Sequence, residues 1–536
     1  MHASQQLLEL YDTTLRDGTQ GLGISLTLPD KIAIAQRLDE MGFDYVEGGF
    51  PLSNPKDAAF FEEAKTIHWK HAKICAFGMT RRRGVSAAED AGLRALVDSG
   101  APVITIVGKT HPAQVEQVMN VSLEENLAMI ADSVAHCRQA PHVTAVFYDA
   151  EHFFDGYKAD ASYAMATLKA AMAGGATRLV LCDTNGGSLP AEVGAATRAA
   201  FEFLGLASGG PVQLGIHTHN DSGLAIANAM AAVSGGAVQV QGTINGIGER
   251  CGNADLVTMA GNASFKMGRR VLAAGALERL TELSRFVHAR CSTVQPTGQP
   301  YTGPGAFAHK GGMHAHAVGK GGWTYEHIAP ESVGNARRVV VSELSGVSNI
   351  AATMLAAQPE LAQNKALQRQ VLERVQDLEH AGWVFEDAPA SLELLVKDAL
   401  GARPHFFKPL RYRCEVAGSA YGASTEATVK VNVGGQEGLH VAEGDGPVNA
   451  LDSALRAALA HAYGSQLCKL HLRDYVVRVV NPTAESAAQV RVRVDFASGG
   501  AHPRTFSTLG VDANIIAASF RALCDGFDYH LMGAVK

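Results

Sequence analysis

Eight short apolar runs recur along the first half of the chain, each followed by a stretch long enough for a helix. They are LELYD (8–12), DYVEGG (44–49), KICAFG (73–78), PVITIVG (102–108), VTAVFYD (143–149), RLVLCD (178–183), VQLGIHTH (212–219) and AVQVQGTI (237–244). The intervening segments, such as DKIAIAQRLDEMG and SLEENLAMIADSVAHC, are amphipathic at helical spacing. Strands that read as continuous apolar runs, each followed by a helix, imply a parallel sheet covered on its faces. Eight such units over about 250 residues match an α/β (β/α)8 TIM barrel. A doubly wound open sheet is the competing arrangement, and the even spacing favours closure.

From about Leu283 to Pro404 this rhythm stops. A Gly/Pro-rich stretch, VQPTGQPYTGPGAFAHKGGMHAHAVGKGG, runs into a long helical pattern around 356–381. A loop this long without regular structure is usually functional or a linker. We read it as a lid that carries His309, His314 and His316 over the barrel mouth. After Pro404, RYRCEV, EATVKVNVGG, YVVRVV and QVRVRVDF alternate apolar and polar residues, as half-buried antiparallel strands do. Helical stretches, VNALDSALRAALAHAYG and DANIIAASFRALCDGF, follow each pair. The tail therefore reads as two strands-then-helix units, an α+β module without clustered catalytic groups. The expected organisation is a barrel at 1–285, a helical linker and lid region at 286–403, and the α+β domain at 404–536.

Composition removes several classes of function. The 536 residues hold 46 Lys+Arg against 53 Asp+Glu, a net charge of −7 without long runs of either sign. That excludes a basic footprint for nucleic acid or anionic membrane. The chain is 47% hydrophobic and 18% charged, the balance of a globular protein. No apolar stretch approaches the ~20 residues of a membrane span, and MHASQQLLELYD does not read as a signal peptide. Eight scattered Cys without a CxxC pair argue against disulfide scaffolds and thiolate zinc sites, and for a reducing cytoplasm.

In such a barrel the chemistry sits at the carboxyl ends of the strands. Those ends carry Arg16 and Asp17; Asp149, Glu151 and His152; Asp183, Thr184 and Asn185; His217 and His219; and Asn245, Glu249 and Asn253. His217 and His219 are two apart, so on a strand they share a face, here the barrel interior. Two converging imidazoles with Asp17 suit a divalent metal, although H-x-H also arises by chance, as at His314–His316. Arg16 is open to two readings, a salt bridge with Asp17 or a holder of a substrate carboxylate or oxyanion. Cys182 and Cys251 are expected to act as small hydrophobes and not as ligands.

Taken together, LYDTTLRDGTQ, EGGFPLSNPKD, VFYDAEHFFDGYK, VLCDTNGG, LGIHTHNDS, VQVQGTINGIGERCGN and AFAHKGGMHAHA resemble the isopropylmalate/homocitrate synthase family, in its citramalate-forming branch. The tail, with TLGVDANIIAASFRAL, is similar to the family's regulatory dimerisation domain. The resemblance implies a metal-dependent, Claisen-type acyl transferase that condenses acetyl-CoA with pyruvate and water, giving citramalate and CoA. This would be the first step of a threonine-independent isoleucine pathway. It implies that Asp17, His217, His219 and Asn253 hold the cation, Mg2+ or Mn2+ in the family. Two imidazoles by themselves suggest Mn2+ or Zn2+ over Mg2+. It further implies that Arg16, Gln20 and Thr184 bind substrate, and that the catalytic residues are Arg16, which neutralises the oxygen that becomes an alkoxide, the proton-transfer pair Glu151 and His314, and Tyr325 of the same region. A homodimer is implied, because the family's catalytic His comes from the neighbouring subunit, as is feedback by an amino acid such as isoleucine at the C-terminal domain. Phe50–Pro51–Leu52 and Gly108–Val118 depart from the branch's pattern, which leaves open the same chemistry on another 2-oxo acid, as in 2-isopropylmalate or homocitrate synthase. A hydroxyacyl-CoA lyase on the same barrel is a third reading, opposed by the C-terminal module.

Overall fold

The eight apolar runs are eight parallel strands in the computed structural model. They are β1 (Glu9–Asp12), β2 (Tyr45–Gly49), β3 (Lys73–Met79), β4 (Val103–Lys109), β5 (Ala145–Glu151), β6 (Arg178–Asp183), β7 (Gln213–Thr218) and β8 (Ala237–Gly242). The structure describes residues 6–534 apart from 343–344, 347–348, 351–363, 420–421, 482–484, 486 and 500–503. Each strand pairs with the next, and β1 pairs in parallel with β8 from Glu9↔Gln239 to Asp12↔Gly242. The sheet is therefore a closed barrel and not an open doubly wound one.

Local chemistry starts and stops the outer helices. In α1 (Leu28–Met41) Thr27 and Asp30 form a reciprocal capping box, and Pro29 lies in the first turn. The helix turns Ile32, Ile34, Ala35, Leu38 and Met41 into the large core around the barrel. It stops at Gly42, whose φ of 85° is left-handed and whose missing Cβ would lie 2.6 Å from the backbone nitrogen of Ala273. Inside the barrel, Tyr11, Tyr45, Cys75, Val103 and Phe147 form a separate apolar cluster. The Tyr45 and Phe147 rings meet nearly edge to face, 5.1 Å apart at 74°. These residues occupy the amino-terminal and middle positions of their strands, so polar side chains are left to the carboxyl ends.

The barrel unit runs to Phe307 and includes Ile328–Ala336. The Gly/Pro-rich stretch is more ordered than its composition suggests. Gln295 donates to Ser284 Oγ and to the carbonyl of Thr302, and Gln299 donates to Asn245 Oδ1 at 2.9 Å. The second unit comprises Ala308–His327 and the described residues from Arg337 onward. It contains a two-stranded parallel pairing of β9 (Ala308–His309) with β10 (Arg338–Val339) and a helix, α2 (Gly312–Lys320). The helical pattern expected at 356–381 is α3 (Lys365–His380) in its described part; 356–363 lie outside the described residues.

The tail has three strands per repeat where the alternation marks two. β11 (Lys408–Ser419), β12 (Gly422–Val433) and β13 (Gln436–Gly444) form one antiparallel sheet, followed by α4 (Pro447–Leu467). β14 (Leu470–Val479), β15 (Val490–Ser498) and β16 (Arg504–Asp512) form the second, followed by α5 (Ile515–Ala534). The unmarked strands, β13 and β16, are edge strands whose glycines and polar residues blur the period-two pattern. Val429, Val431, Leu451 and Leu455 share one core with Val494, Phe496, Leu523 and Phe527, so the two repeats form one module.

Gly42→Ala should destabilise the barrel by about 1–3 kcal/mol, because Ala must adopt a left-handed φ. Gly275→Ala has a similar φ of 78° but open space around it. Thermal unfolding of both variants should place the Gly42 variant lower, the difference reporting the Ala273 backbone contact. Equal midpoints would refute the packing account.

Candidate active site

The turn after β1 is built by its own side chains. Thr14 donates from its backbone N–H and its hydroxyl to the Asp12 carboxylate, and its Oγ1 accepts the Ile244 N–H at 2.9 Å. This ties the β1 and β8 loops together and delivers Arg16 and Asp17 to the barrel mouth. On β7 and just beyond it, His217 and His219 present Nε2 atoms 3.2 Å apart, and His217 Nε2 lies 3.4 Å from Asp17 Oδ2. One ligand atom from each of Asp17, His217 and His219 falls within 4.8 Å of the others, and all three residues are buried. Burial opposes ionisation of Asp17, but the Arg16 charge and the His217 hydrogen bond outweigh it and hold the carboxyl well below its usual range. Burial and the neighbouring His217 push the His219 imidazole down to about 4. Burial also acts against a charge on His217, yet its bond to Asp17 leaves the imidazole pKa raised.

Asn253 pairs with His219 through the backbone, and its Nδ2 donates to the Ile247 carbonyl at 3.1 Å. Its Oδ1 is buried with no hydrogen-bond partner among the described residues. A buried orphan acceptor is costly unless a donor or a cation completes it. The loop that carries Asn253 needs its glycines: a Cβ on Gly252, at φ 88°, would lie 1.9 Å from the Gly246 carbonyl oxygen. Two imidazoles, an ionised carboxylate and an unpartnered amide oxygen make a donor set that fits a divalent cation.

Arg16 pairs with both Glu47 and Asp17, and more closely with Glu47. Its Nε donates to Glu47 Oε1 at 2.5 Å, whereas Asp17 is 3.9 Å from its terminal nitrogen. Glu47, on β2, is fully buried, and its other oxygen accepts from the Tyr11 hydroxyl at 2.7 Å. The guanidinium also lies over the Phe77 ring, 3.7 Å from its centroid. A cavity of about 700 Å3 opens beside it, lined by Arg16, Gln20, Lys31, Phe50 and Phe77. The departure at Phe50 thus borders the same space as Arg16.

The remaining barrel candidates lie on the β5 and β6 ends. Glu151 is half-buried and pairs with Lys109 at 2.6 Å. Thr184 Oγ1 accepts the His152 N–H at 2.8 Å, and its carbonyl accepts from Arg250, which is bound to Asp221. Cys182 is buried, and burial pushes its thiol pKa up; Cys251 is exposed. In the second unit His314 and Tyr325 stack, with centroids 4.0 Å apart at 22°, and both are exposed. Nearby, His309 and Arg337 both bind Glu326, at 3.1 and 2.5 Å.

Sequence reasoning missed Glu47, Asp149 as a buried partner, and Gln241. A signal existed for each, since a carboxylate or an amide inside an apolar strand run must find a partner when buried. The partner itself comes only from closure of the barrel.

Comparison with known proteins finds similarity along nearly the whole chain. The HMGL-like family pattern matches residues 7–287, the homocitrate synthase post-HMGL domain-like pattern 301–382, and the LeuA allosteric (dimerisation) domain 386–531. The (R)-citramalate synthase of Geobacter sulfurreducens is 46% identical over 527 residues, 98% of either chain. That of Aquifex aeolicus is 44% identical, covering 98% of this chain and 97% of its own. A probable 2-isopropylmalate synthase of Methanopyrus kandleri is 31% identical, covering 97% of each. With an HMGL-like barrel, a LeuA-type tail and this full-length similarity, the chain belongs to the HMGL-like family, in its (R)-citramalate synthase branch.

Proposed function

We propose that this enzyme condenses acetyl-CoA with pyruvate and water to give citramalate and free CoA. The observation that carries the reading is the buried Asp17–His217–His219 cluster beside Arg16, in a chain similar to (R)-citramalate synthases over its whole length. Asp17, His217, His219 and Asn253 would hold the cation, Mg2+ or Mn2+, with the paired imidazoles favouring Mn2+ or Zn2+. When bound, the cation supplies Lewis-acid polarisation of the 2-oxo acid.

The chain's own residues do the rest. Glu47 and Phe77 fix Arg16, so its terminal N–H groups are ready for the oxygen that becomes an alkoxide. Gln20 and Thr184 bind the substrates. Glu151 and His314 move the proton of the acetyl methyl group, a weak carbon acid that needs a positioned base. The Tyr325 ring stacked on His314 sets the imidazole plane. His314 serves the partner's barrel in a homodimer, as the LeuA-type domain supports. The tail would bind isoleucine as a feedback inhibitor of its own pathway. A cavity of about 880 Å3 in that module, lined by Phe407, Tyr412, Phe520, Arg403, Arg521 and Asp528, offers the mix of apolar and charged groups that an α-amino acid needs.

Purified protein with Mn2+ and acetyl-CoA should release free thiol with pyruvate, and mass spectrometry should find citramalate. Rates with 2-oxobutanoate, 2-oxoisovalerate and 2-oxoglutarate should be at least about tenfold lower in kcat/KM. A preference for one of these would move the enzyme to that acceptor, and no thiol release with any would refute the synthase reading. Arg16→Lys should lower kcat by about 10²–10³, because one ammonium cannot keep both the Glu47 contact and the substrate oxygen.

Because the raised pKa of His217 leaves the cation-free imidazole increasingly protonated as pH falls, Mn2+ should bind more weakly at pH 6 than at pH 8. Isoleucine should inhibit the full-length enzyme, and Tyr412→Glu should raise the concentration needed by about tenfold or more. Inhibition unchanged in that variant would move the effector site elsewhere.

A further inference from the structure

Two hydrogen bonds inside the barrel connect an aspartate to the first imidazole of the cluster. Asp149, on β5, is buried and accepts at Oδ1 from Gln241 Nε2 at 3.1 Å. Gln241, on β8, is fully buried and sits in register with His217 on β7. Its other end, Oε1, lies 3.1 Å from His217 Nδ1.

An amide has one donating end and one accepting end, so its partners decide its orientation. The carboxyl oxygen of Asp149 takes the NH2 end, which leaves Oε1 facing His217. That oxygen can only accept, so Nδ1 of His217 must carry the proton. In the neutral ring the lone pair is then on Nε2, the atom 3.4 Å from Asp17 Oδ2 and 3.2 Å from His219 Nε2. Turned end for end, the amide would force the lone pair onto Nδ1 and set a proton on Nε2, where a cation must sit. His219 has no such control among the described residues, where its Nδ1 is buried without a hydrogen-bond partner.

We infer that Asp149 and Gln241 are positioning residues that lock His217 in its Nδ1–H tautomer and aim the Nε2 lone pair at the centre of the cluster. The inference rests on the reading of that cluster as a divalent-cation site. Asp149 acts through Gln241, and Gln241 acts through His217. An outer partner of this kind commonly changes metal affinity by about 10–100-fold.

Equilibrium dialysis of full-length protein against Mn2+ tests the lock, with unfolding of the metal-free protein as the control for folding. Gln241→Leu should weaken Mn2+ binding about 10–100-fold. Gln241→Glu keeps an oxygen for the Nδ1 proton and should stay within about threefold of wild type. Asp149→Asn frees the amide to turn and should weaken binding about tenfold, but should add nothing in the Gln241→Leu background, because the two residues form one chain. Wild-type affinity in Gln241→Leu, or a full additional loss in the double variant, would overturn the lock. No Mn2+ binding by the wild type would overturn the cation reading itself, and the lock with it.

Discussion

Parallel pairing of β1 with β8 is the contact on which the chemistry depends, because it turns distance along the chain into neighbourhood. Register from Glu9↔Gln239 to Asp12↔Gly242 brings the first strand beside the last. The Thr13 N–H donates to the Gly242 carbonyl at 2.8 Å, and Ile244 donates to Thr14 Oγ1, so the two loops leave the sheet together. Asp17 and Arg16 follow at once on one side, and the Asn253 loop on the other. His217 reaches the same place because β7 is the next strand round. An open sheet would keep each of these side chains and lose their convergence.

Closure also concentrates charge where water is scarce, and buried charges persist only when paired. Arg16 is matched by Glu47, whose second oxygen is satisfied by Tyr11. Asp17 remains, held in its ionised form by Arg16 and His217. With both imidazoles neutral, Arg16, Glu47 and Asp17 together leave one excess negative charge. A divalent cation would reverse that sign, and a site so reversed attracts an anionic 2-oxo acid. The overall charge of −7 says nothing of this, since the field that matters is set within a few ångströms.

Much of the barrel was legible because parallel strands buried on both faces leave an unmistakable sequence pattern. The residues at the strand ends were legible too: Asp17, His217 and His219 lie together, and Arg16 lies beside them. Pairing between strands was not. Nothing local says that Arg16 prefers Glu47, 31 residues away, to adjacent Asp17, or that Asp149 meets Gln241 across 92 residues. These contacts are products of register. Strands β13 and β16 escaped for a different reason: the glycines and polar residues of QEGLHVAEG and RTFSTLGVD blur the apolar alternation that marks the other strands. The helix α2 was hidden by the glycines in and around it, although its Met and Ala residues suit a helix.

The barrel holds a second polar cluster, and the contrast shows what separates a structural group from a reactive one. At the amino-terminal end Arg178 binds both Glu9 oxygens, at 2.7 and 3.0 Å, and Gln239 donates to Glu9 at 3.2 Å. This pair is neutral, its ion partners are complete, and the aromatic cluster of Tyr11, Tyr45 and Phe147 separates it from the mouth. It pins β1 to β6 across the barrel, although the Gln239 Oε1 beside it is buried without a hydrogen-bond partner among the described residues. The cluster at the mouth is more deeply buried, and it differs in its converging lone pairs and in a charge left unmatched when both imidazoles are neutral. A buried polar group alone does not mark a functional site, since fully buried Gln239 belongs to the structural cluster. An unbalanced charge with donors already aimed at one point does, because only a bound partner can complete it.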